Sequence, residues 1–424
     1  MSWERVFLFI FLFFQFIITY FDIIVNRCYT FFMPISSHNL AEFIRSEGWS
    51  NHAILPIDDV QKALEHHKGV FEQWIKAGYQ ADMHYLEKMK PDRFHPQNKL
   101  PEVKSVIVLL ATYSSDSPRM VNELSTNGLN SAWSTHCPTN GLELRQPVEP
   151  SVKQSVRQPV EPSGIVARYA RGRDYHKVLK KKLIQLSDWL KSQQDGVETY
   201  LSVDSGPTVD RVLAEAAGLG FFGKNSMMID PRRGSYFFIA SLMTNVVLEP
   251  TEKGRMPNCG DCRKCMVACP TNAIVAPGVI DARRCIAYLT IENKGGIPLE
   301  LRSKLGNRLF GCDICQEVCP FNVGRAGRQV VQIEALRPDH GVGECLDLKE
   351  ILSMETDEQF LARFAGTPLM RAKRRGLLRN VCVVAGNSGD PTLIPYLERV
   401  FEREVDEMLK EHAKWGIEQL QIKN

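Results

Sequence analysis

The sequence predicts a multidomain α+β protein, and three stretches of the chain carry that prediction. Between residues 104 and 242, apolar runs of strand length alternate with amphipathic helical segments, which indicates an α/β layer domain. Eight cysteines then crowd into residues 259–319. After residue 371, two apolar helical segments flank a Gly- and Pro-containing turn, which suggests a HEAT-like helical module. We therefore expect domain boundaries near residues 250 and 330.

Within the first domain, 33–250, the apolar runs Lys104–Leu110, Thr199–Val203 and Tyr236–Leu242 are predicted strands. The helical segments between them are Lys177–Ser192 and Val209–Ala217. The second domain spans 251–330 and the helical module spans 331–424, in which residues 330–365 are expected to be connecting helices.

Composition and cysteine spacing limit the classes of protein to which this chain can belong. The chain has 424 residues and a net charge of +3, and so small a charge is weak evidence for any particular kind of binding partner. Four of its twelve cysteines, Cys28, Cys137, Cys345 and Cys382, show no paired spacing. Unpaired thiols beside a dense cysteine segment favour a reducing cytoplasm over a disulfide scaffold.

The N-terminal residues 1–32 are a hydrophobic extension. The apolar run from Val6 to Val25 is about long enough to span a bilayer, so a membrane anchor is one interpretation. The other is an extension upstream of the true start at Met33, which an amphipathic helix follows. A signal peptide is disfavoured because no small-residue cleavage site follows.

Residues 114–165 interrupt the first domain. The heptapeptide Arg145–Ser151 recurs as Arg157–Ser163, a period of twelve residues. That period is too short for a packed repeat with its own core, and its proline content disfavours helix. We interpret this segment as a disordered insertion without catalytic role.

The cysteine spacing indicates two iron–sulfur clusters. The first run has spacings of two, two and three residues followed by Pro270, which is the bacterial ferredoxin pattern for [4Fe–4S] clusters. The second run lacks its first cysteine, because Leu309 stands there, and Cys285 is the natural substitute. Zinc, disulfides or buried thiols are the alternatives, but zinc sites usually pair two CxxC units across a spacer. The predicted ligands are Cys259, Cys262, Cys265 and Cys319 for cluster 1, and Cys269, Cys285, Cys312 and Cys315 for cluster 2.

Other polar groups allow two interpretations each. Asp204 follows a predicted strand and precedes Ser-Gly-Pro, where it serves either as a catalytic side chain or as the cap of the next helix. Four cations, Arg371, Lys373, Arg374 and Arg375, either form a solvated face or bind phosphates.

The motifs together resemble the epoxyqueuosine reductase family. They cover the chain from Met33 onward, except the insertion. The motifs are Arg168–His176, Asp204–Pro207, Gly223–Asn225, the cysteine runs, Cys285–Glu292, Gly311–Asn322 and Arg375–Asn380.

The resemblance implies reduction of epoxyqueuosine to queuosine in tRNA, with cobalamin and two [4Fe–4S] clusters as cofactors. It implies that Asp204 donates a proton, for which we expect partial burial to raise its pKa. It also implies that the four cations bind the anticodon stem-loop. We further expect a cytoplasmic monomer served by an unidentified electron donor. The implied cofactor contacts are Tyr169, Asp204, Gly223, Lys224, Asn225, Met228, Ala287 and Thr290.

Two alternatives remain open at this point. A reductive dehalogenase-like cobalamin enzyme would share both cofactors but would act on a small molecule. A plain electron-transfer protein would leave the α/β domain unexplained.

Overall fold

The computed structural model describes residues 35–113, 162–204, 206–323 and 333–422. The predicted N-terminal extension and most of the predicted insertion lie outside the described residues. The strands are β1 (Asn51–Pro56), β2 (Ser105–Thr112), β3 (Ser163–Val166), β4 (Thr199–Ser202), β5 (Phe221–Phe222), β6 (Met228–Ile229), β7 (Phe237–Thr244), β8 (Ile274–Ala276), β9 (Val279–Ile280), β10 (Arg308–Phe310) and β11 (Cys345–Asp347).

The helices surround these strands. They are α1 (Ser37–Ser46), α2 (Ile57–Lys76), α3 (Tyr85–Lys88), α4 (Lys90–Arg93), α5 (Tyr175–Gln193), α6 (Asp210–Ala216), α7 (Lys264–Ala268), α8 (Ile286–Ile291), α9 (Leu299–Arg302), α10 (Ile314–Glu317), α11 (Leu348–Leu352), α12 (Asp357–Phe364), α13 (Lys373–Ser388), α14 (Ile394–Arg403) and α15 (Glu407–Ile422). Within the described ranges, no helix is both long and apolar enough to cross a bilayer.

The first domain is built on a four-stranded sheet of order β1-β2-β7-β4. All three of its strand pairs are antiparallel, a strand direction that the predicted alternation of strands and helices did not specify. The eight residues of β2 are all buried. An unbroken apolar run indicates that both faces of a strand are buried, which is most common in parallel sheets. In this protein both faces of β2 are buried although its neighbours are antiparallel.

Helices cover both faces of this sheet. Alternate residues of β2 enter two separate cores: Ile107 and Leu109 pack with α1 and α5, whereas Val106 and Val108 pack with α2 and α6. The apolar face of α5 consists of four fully buried leucines, Leu179, Leu183, Leu186 and Leu190. Each such side chain contributes about 1.5–3 kcal/mol on burial, so this face holds α5 firmly on the sheet.

A second sheet, of order β10-β3-β11, joins the predicted domains. Its central strand β3 pairs in parallel with β10 and antiparallel with β11. Residues 163–165 are therefore strand, which corrects the predicted end of the insertion. The strand β11 likewise corrects the expectation of helices alone over residues 330–365.

The C-terminal helices pack on this second sheet. Phe310 of β10 shares one hydrophobic core with Leu377 and Val381 of α13 and with Leu397 of α14. Helix α13 ends where Gly389 takes a left-handed φ of +72°, a conformation that favours glycine. In the same region Cys345 is disulfide-bonded, so the expectation of an unpaired thiol is wrong for that residue.

Candidate active site

The cysteines predicted for cluster 1 line one cavity. Cys259, Cys262, Cys265 and Cys319 surround about 360 Å³ of empty space, part of which is open to solvent. The β5–β6 hairpin closes one side, where the Lys224 backbone N–H donates to Cys259 Sγ at 3.4 Å. Thiolates that converge on an enclosed space and receive backbone donors are the donor set that a [4Fe–4S] cluster requires.

The cysteines predicted for cluster 2 also lie together. Burial raises the pKa of Cys312 to about 12, and the neighbouring charge of Cys285 contributes. Burial and the charges of Cys312 and Cys285 raise the pKa of Cys315, while Cys269 lies within reach of Cys285. Buried thiols crowded in this way become good ligands only when bound iron supplies compensating positive charge.

A cubane suits this arrangement better than a single ion does. Across the described residues, no three His, Cys, Asp or Glu side chains converge closely enough to hold one metal ion. The four thiolates of a cubane bind four different irons, so they need not meet at one point. Cys265 lies within electrostatic reach of Cys315, which places the two cysteine sets side by side.

Asp204 lies at the end of β4 in a strained backbone conformation. Its φ is +53°, which few residues other than glycine adopt, and its side chain is 65% exposed. Helix α6 begins at Asp210 without any side-chain cap, so the alternative role of Asp204 as a helix cap is wrong. Its backbone N–H instead donates to Asp210 Oδ2 at 3.1 Å.

The carboxylate of Asp204 receives two side-chain donors from the start of α5. Tyr175 donates its hydroxyl to Asp204 Oδ2 at 2.5 Å, and His176 Nε2 lies 3.5 Å from the same oxygen. The Tyr175 ring is stacked between Phe238 and the His176 ring, with centroids 4.1 and 4.0 Å away. Asp174 caps α5 and binds His176 Nδ1 at 2.9 Å, which directs Nε2 toward Asp204.

These contacts decide the protonation of the site. Burial alone would raise the pKa of Asp204, but the donors His176 and Tyr175 outweigh it and hold the pKa at about 2. Burial lowers the pKa of His176, yet Asp174 and Asp204 together raise it to about 9. The expected upward shift for Asp204 is therefore wrong. Near neutral pH the proton resides on His176.

Further polar groups face the same carboxylate. Burial, together with the charge of Asp204, raises the pKa of Asp210 to about 6. Tyr85 is 39% exposed and lies within electrostatic reach of Asp204 and Arg371. Among described residues, the buried Arg93 Nε has no hydrogen-bond acceptor, although its guanidinium lies near Asp204 and Asp210.

Only some of the predicted cofactor contacts lie beside Asp204. Tyr169 packs edge-on against Tyr175 at 6.2 Å between ring centroids, so it belongs to the Asp204 site. Gly223, Lys224 and Asn225 instead form the hairpin turn beside the cluster 1 cavity, where Asn225 Nδ2 donates to the Cys315 carbonyl at 3.2 Å. The Met228 side chain is buried in the core beneath the sheet at 2% exposure, so any cofactor contact must come from its backbone.

Ala287 and Thr290 lie on α8, directly after the cluster ligand Cys285. Thr290 is fully buried, and its hydroxyl donates to the Ile286 carbonyl at 2.7 Å and accepts from the Gly311 N–H at 2.9 Å. Its hydrogen-bonding capacity is used within the protein, whereas Ala287 remains partly exposed.

The four predicted tRNA-binding cations differ in their surroundings. Arg371 forms a two-pronged pair with Glu292 at 2.7 and 2.9 Å, and Arg374 forms one with Glu404 at 2.8 and 2.9 Å. Arg375 pairs with Asp406. Lys373 is exposed and makes no ion pair with a described residue. Three of the four cations are therefore paired within the chain, although the side chains of Arg371 and Arg375 remain 54% and 47% exposed.

The sequence indicated Asp174, Tyr175 and His176 as part of the Arg168–His176 motif but gave them no individual roles, and it did not indicate Asp210. The first three stand in one Asp-Tyr-His run at the start of a helix, which is a dense polar signal. Asp210 follows Asp204 by six residues, but no local pattern indicates that it accepts the Asp204 amide.

The comparisons with known proteins now identify the family. A family model described as "Epoxyqueuosine reductase QueG, DUF1730" matches residues 145–205, and one described as "4Fe-4S double cluster binding domain" matches residues 258–322. The epoxyqueuosine reductase of Pseudomonas aeruginosa is 36% identical over 363 residues, which cover 85% of this chain and 89% of that protein. This chain belongs to the epoxyqueuosine reductase family. The resemblance predicted from the motifs is confirmed, and so is the presence of a double [4Fe–4S] cluster domain.

Solved structures of epoxyqueuosine reductases share the fold. One, crystallised with an epoxyqueuosine-modified tRNA-Tyr stem loop, has a TM-score of 0.65 and 29% identity, and the match covers 91% of this chain and 98% of that chain. Another, from Bacillus subtilis, is described with its catalytic aspartate loop swung out of the active site; its TM-score is 0.63 at 28% identity, and the match covers 90% of this chain and 98% of that chain. Nothing in these comparisons favours the dehalogenase-like alternative.

Proposed function

We propose that this chain reduces epoxyqueuosine to queuosine in tRNA, with two [4Fe–4S] clusters and cobalamin as its cofactors. The observation that carries this proposal is the Asp204 site, where an exposed carboxylate on a strained turn adjoins a protonated histidine, close to a double-cluster domain. In the Bacillus subtilis relative, the loop described as catalytic also carries an aspartate.

Two observations beside Asp204 support a large polar cofactor at this site. Exposed Asp204 and Tyr85 leave room for a ligand, and Arg93 Nε is a buried donor without an acceptor in the described chain. The amide groups around a corrin would offer such an acceptor. Tyr169, Asp204 and Ala287 are the proposed contacts. When bound, cobalamin supplies a strongly reducing metal centre for opening the epoxide.

The protein's own contribution is control of the proton. Reducing an epoxide to an alkene consumes two electrons and two protons and releases water, and the opened ring leaves an alkoxide oxygen that must be protonated. We propose that this proton comes from His176, whose Nε2 lies 3.5 Å from Asp204 Oδ2, and that the Asp204 carboxylate passes it to the alkoxide oxygen. General acid catalysis of this kind typically contributes about 10²–10⁴-fold in rate.

The surroundings of Asp204 also suggest where the tRNA substrate docks. Arg371 lies over the Tyr85 ring at 5.8 Å, and Tyr85 lies within electrostatic reach of Asp204, so the residues that lead into the C-terminal helices lie near the site. We propose that the tRNA stem-loop docks across this border, that the HEAT-like helices support it, and that a monomer acts in the reducing cytoplasm. A low-potential electron carrier would supply the clusters.

The test is complementation with an Asp204→Asn variant. In a strain that lacks its own epoxyqueuosine reductase, the wild-type chain should convert epoxyqueuosine to queuosine in isolated tRNA. The variant should accumulate with full iron content, yet turn over at least about 10²-fold more slowly, because an amide cannot deliver the proton.

The matched control is Asp390→Asn, which alters a helix-capping aspartate in the C-terminal helices and should leave turnover unchanged. Wild-type turnover in Asp204→Asn would refute the proton-donor role. Failure of the wild-type chain to form queuosine would refute the proposed function itself.

A further inference from the structure

The motif Arg375–Asn380 on α13 belongs to none of the catalytic groups described above. Its Arg379 is 1% exposed and therefore cannot contact tRNA. Burial lowers the pKa of Arg379 to about 10, so the side chain stays charged at neutral pH. No carboxylate of the described residues lies within ion-pair distance of it. A buried cation in this state must be stabilised by other groups.

Carbonyl oxygens supply that stabilisation. Arg379 donates to the carbonyls of Leu289, Asn293 and Gly295 at 2.5, 2.8 and 2.6 Å. Its remaining donors bind Asn380 Oδ1 at 2.8 and 3.2 Å, so all five guanidinium N–H groups are used. The three carbonyls lie at and beyond the C-terminal end of α8, where the negative end of the helix dipole favours a cation.

Asn380 extends the same contact to a second element. Its Nδ2 donates to the Thr290 carbonyl on α8 at 2.8 Å and to the Leu309 carbonyl on β10 at 3.0 Å. Thr290 in turn accepts the Gly311 N–H at 2.9 Å. Gly311 is held at φ +74°, and a Cβ there would come within 2.6 Å of Ala167 Cβ, so the backbone at this point has little freedom.

Arg379 and Asn380 join α8 to β10, and each of these two elements is adjacent in sequence to a predicted cluster ligand. Cys285 is the residue immediately before α8, and Cys312 follows Gly311 after β10. We propose that Arg379 and Asn380 are positioning residues for cluster 2, which hold α8 and β10 in register so that Cys285 and Cys312 meet the same cluster. This inference rests on the assignment of both cysteines to that cluster.

The neighbouring arginines act on the same segment from the surface. Arg371 pairs with Glu292 and Arg375 donates to the Lys294 carbonyl, so arginines at positions i, i+4 and i+8 all contact residues 289–295. The C-terminal helices are thereby attached to the segment that follows Cys285.

The experiment compares full-length variants purified and reconstituted without oxygen. Cys285→Ser identifies the electron paramagnetic resonance signal of reduced cluster 2 and should lower iron from about eight to about four per chain. Arg379→Met should lose or shift the same signal and leave that of cluster 1 intact. Arg379→Lys, which retains the charge with fewer directed donors, should show a smaller shift.

Arg403→Met is the matched control. Arg403 also donates to carbonyls at a helix end, those of Leu352 and Met354 at 2.8 and 2.9 Å, but it touches no cluster element. It should cost stability and leave both signals unchanged.

Thr290→Val replaces Arg379→Met if that variant does not fold, and should perturb cluster 2 through the Gly311 contact. Wild-type iron content, signals and midpoint potentials in folded Arg379→Met, or in Thr290→Val when it takes that place, would overturn the proposal. Eight irons in Cys285→Ser would overturn the cysteine assignment and this inference with it.

Discussion

At the scale of single residues, the charge state of Asp204 depends on His176. The pKa of His176 is raised from its ordinary 6.5 to about 9, so the stability it contributes is fully present below pH 6.5 and is lost as pH rises through 9. The pKa of Asp204 is lowered from 3.8 to about 2, so its contribution is present above pH 3.8 and is lost as pH falls through 2. Between about pH 2 and 9 the pair carries both charges.

We predict from this pair that turnover declines above about pH 9, because neutral His176 can no longer supply a proton. Asp174→Asn removes an acceptor that raises the His176 pKa, so the alkaline decline should move to lower pH. His176→Asn should abolish the decline and lower the plateau by about 10²-fold.

The measurement is single-turnover conversion of modified stem-loop from pH 6 to 10. Lys181→Gln, which alters an exposed position later on the same helix, is the control. An unshifted decline in Asp174→Asn would show that another group controls it.

At the scale of elements, the start of α13 contains cations of two kinds. Arg374 has a side chain only 16% exposed, bound to Glu404, so it stabilises the helical packing. Lys373 is exposed and, as the first residue of α13, stands at φ +58°, a left-handed conformation that few residues other than glycine adopt. Proximity in sequence therefore does not give these residues one role.

We predict that Lys373→Gln weakens binding of the stem-loop and lowers the slope of log affinity against log salt by about one, as loss of one phosphate contact should. Arg374→Gln should lower the melting temperature but leave the slope unchanged. Titrations at several salt concentrations, with Lys181→Gln as the control, separate the two effects. An equal drop in slope for Arg374→Gln would restore the open cationic patch predicted from the sequence.

At the scale of the whole molecule, the cluster segment is bonded both to the first domain and to the C-terminal helices. Asn322 accepts the Ser235 N–H at 2.8 Å and donates to the Gln316 carbonyl at 2.8 Å, which ties the second cysteine run to the first domain. The sheet β10-β3-β11 and the Arg379 contacts tie it to the C-terminal helices.

Removal of iron should consequently destabilise the entire chain. We predict that chelation under reducing conditions lowers the melting temperature in a single cooperative transition, because metal binding energy is coupled to folding. Differential scanning calorimetry before and after chelation measures this, and restoring iron and sulfide should restore the transition. Two separate transitions would mean that the domains fold independently.

The sequence by itself determined the parts of this protein that depend on local spacing. The cysteine spacings predicted a double cluster domain, and the leucine spacing of α5 and the apolar runs of β2 and β7 predicted their secondary structure. These signals are readable because thiolate spacing, helical period and burial each act over a few residues.

Only the tertiary structure decided strand direction, charge partners and protonation. Asp204 meets Tyr175 from 29 residues away, Arg374 meets Glu404 from 30, and Arg371 meets Glu292 from 79. A carboxylate at a strand end is consistent with a raised or a lowered pKa until its donors are known, and here two donors lower it. Electrostatic energies depend on distances of a few ångströms between groups far apart in the chain, and no local pattern encodes those distances.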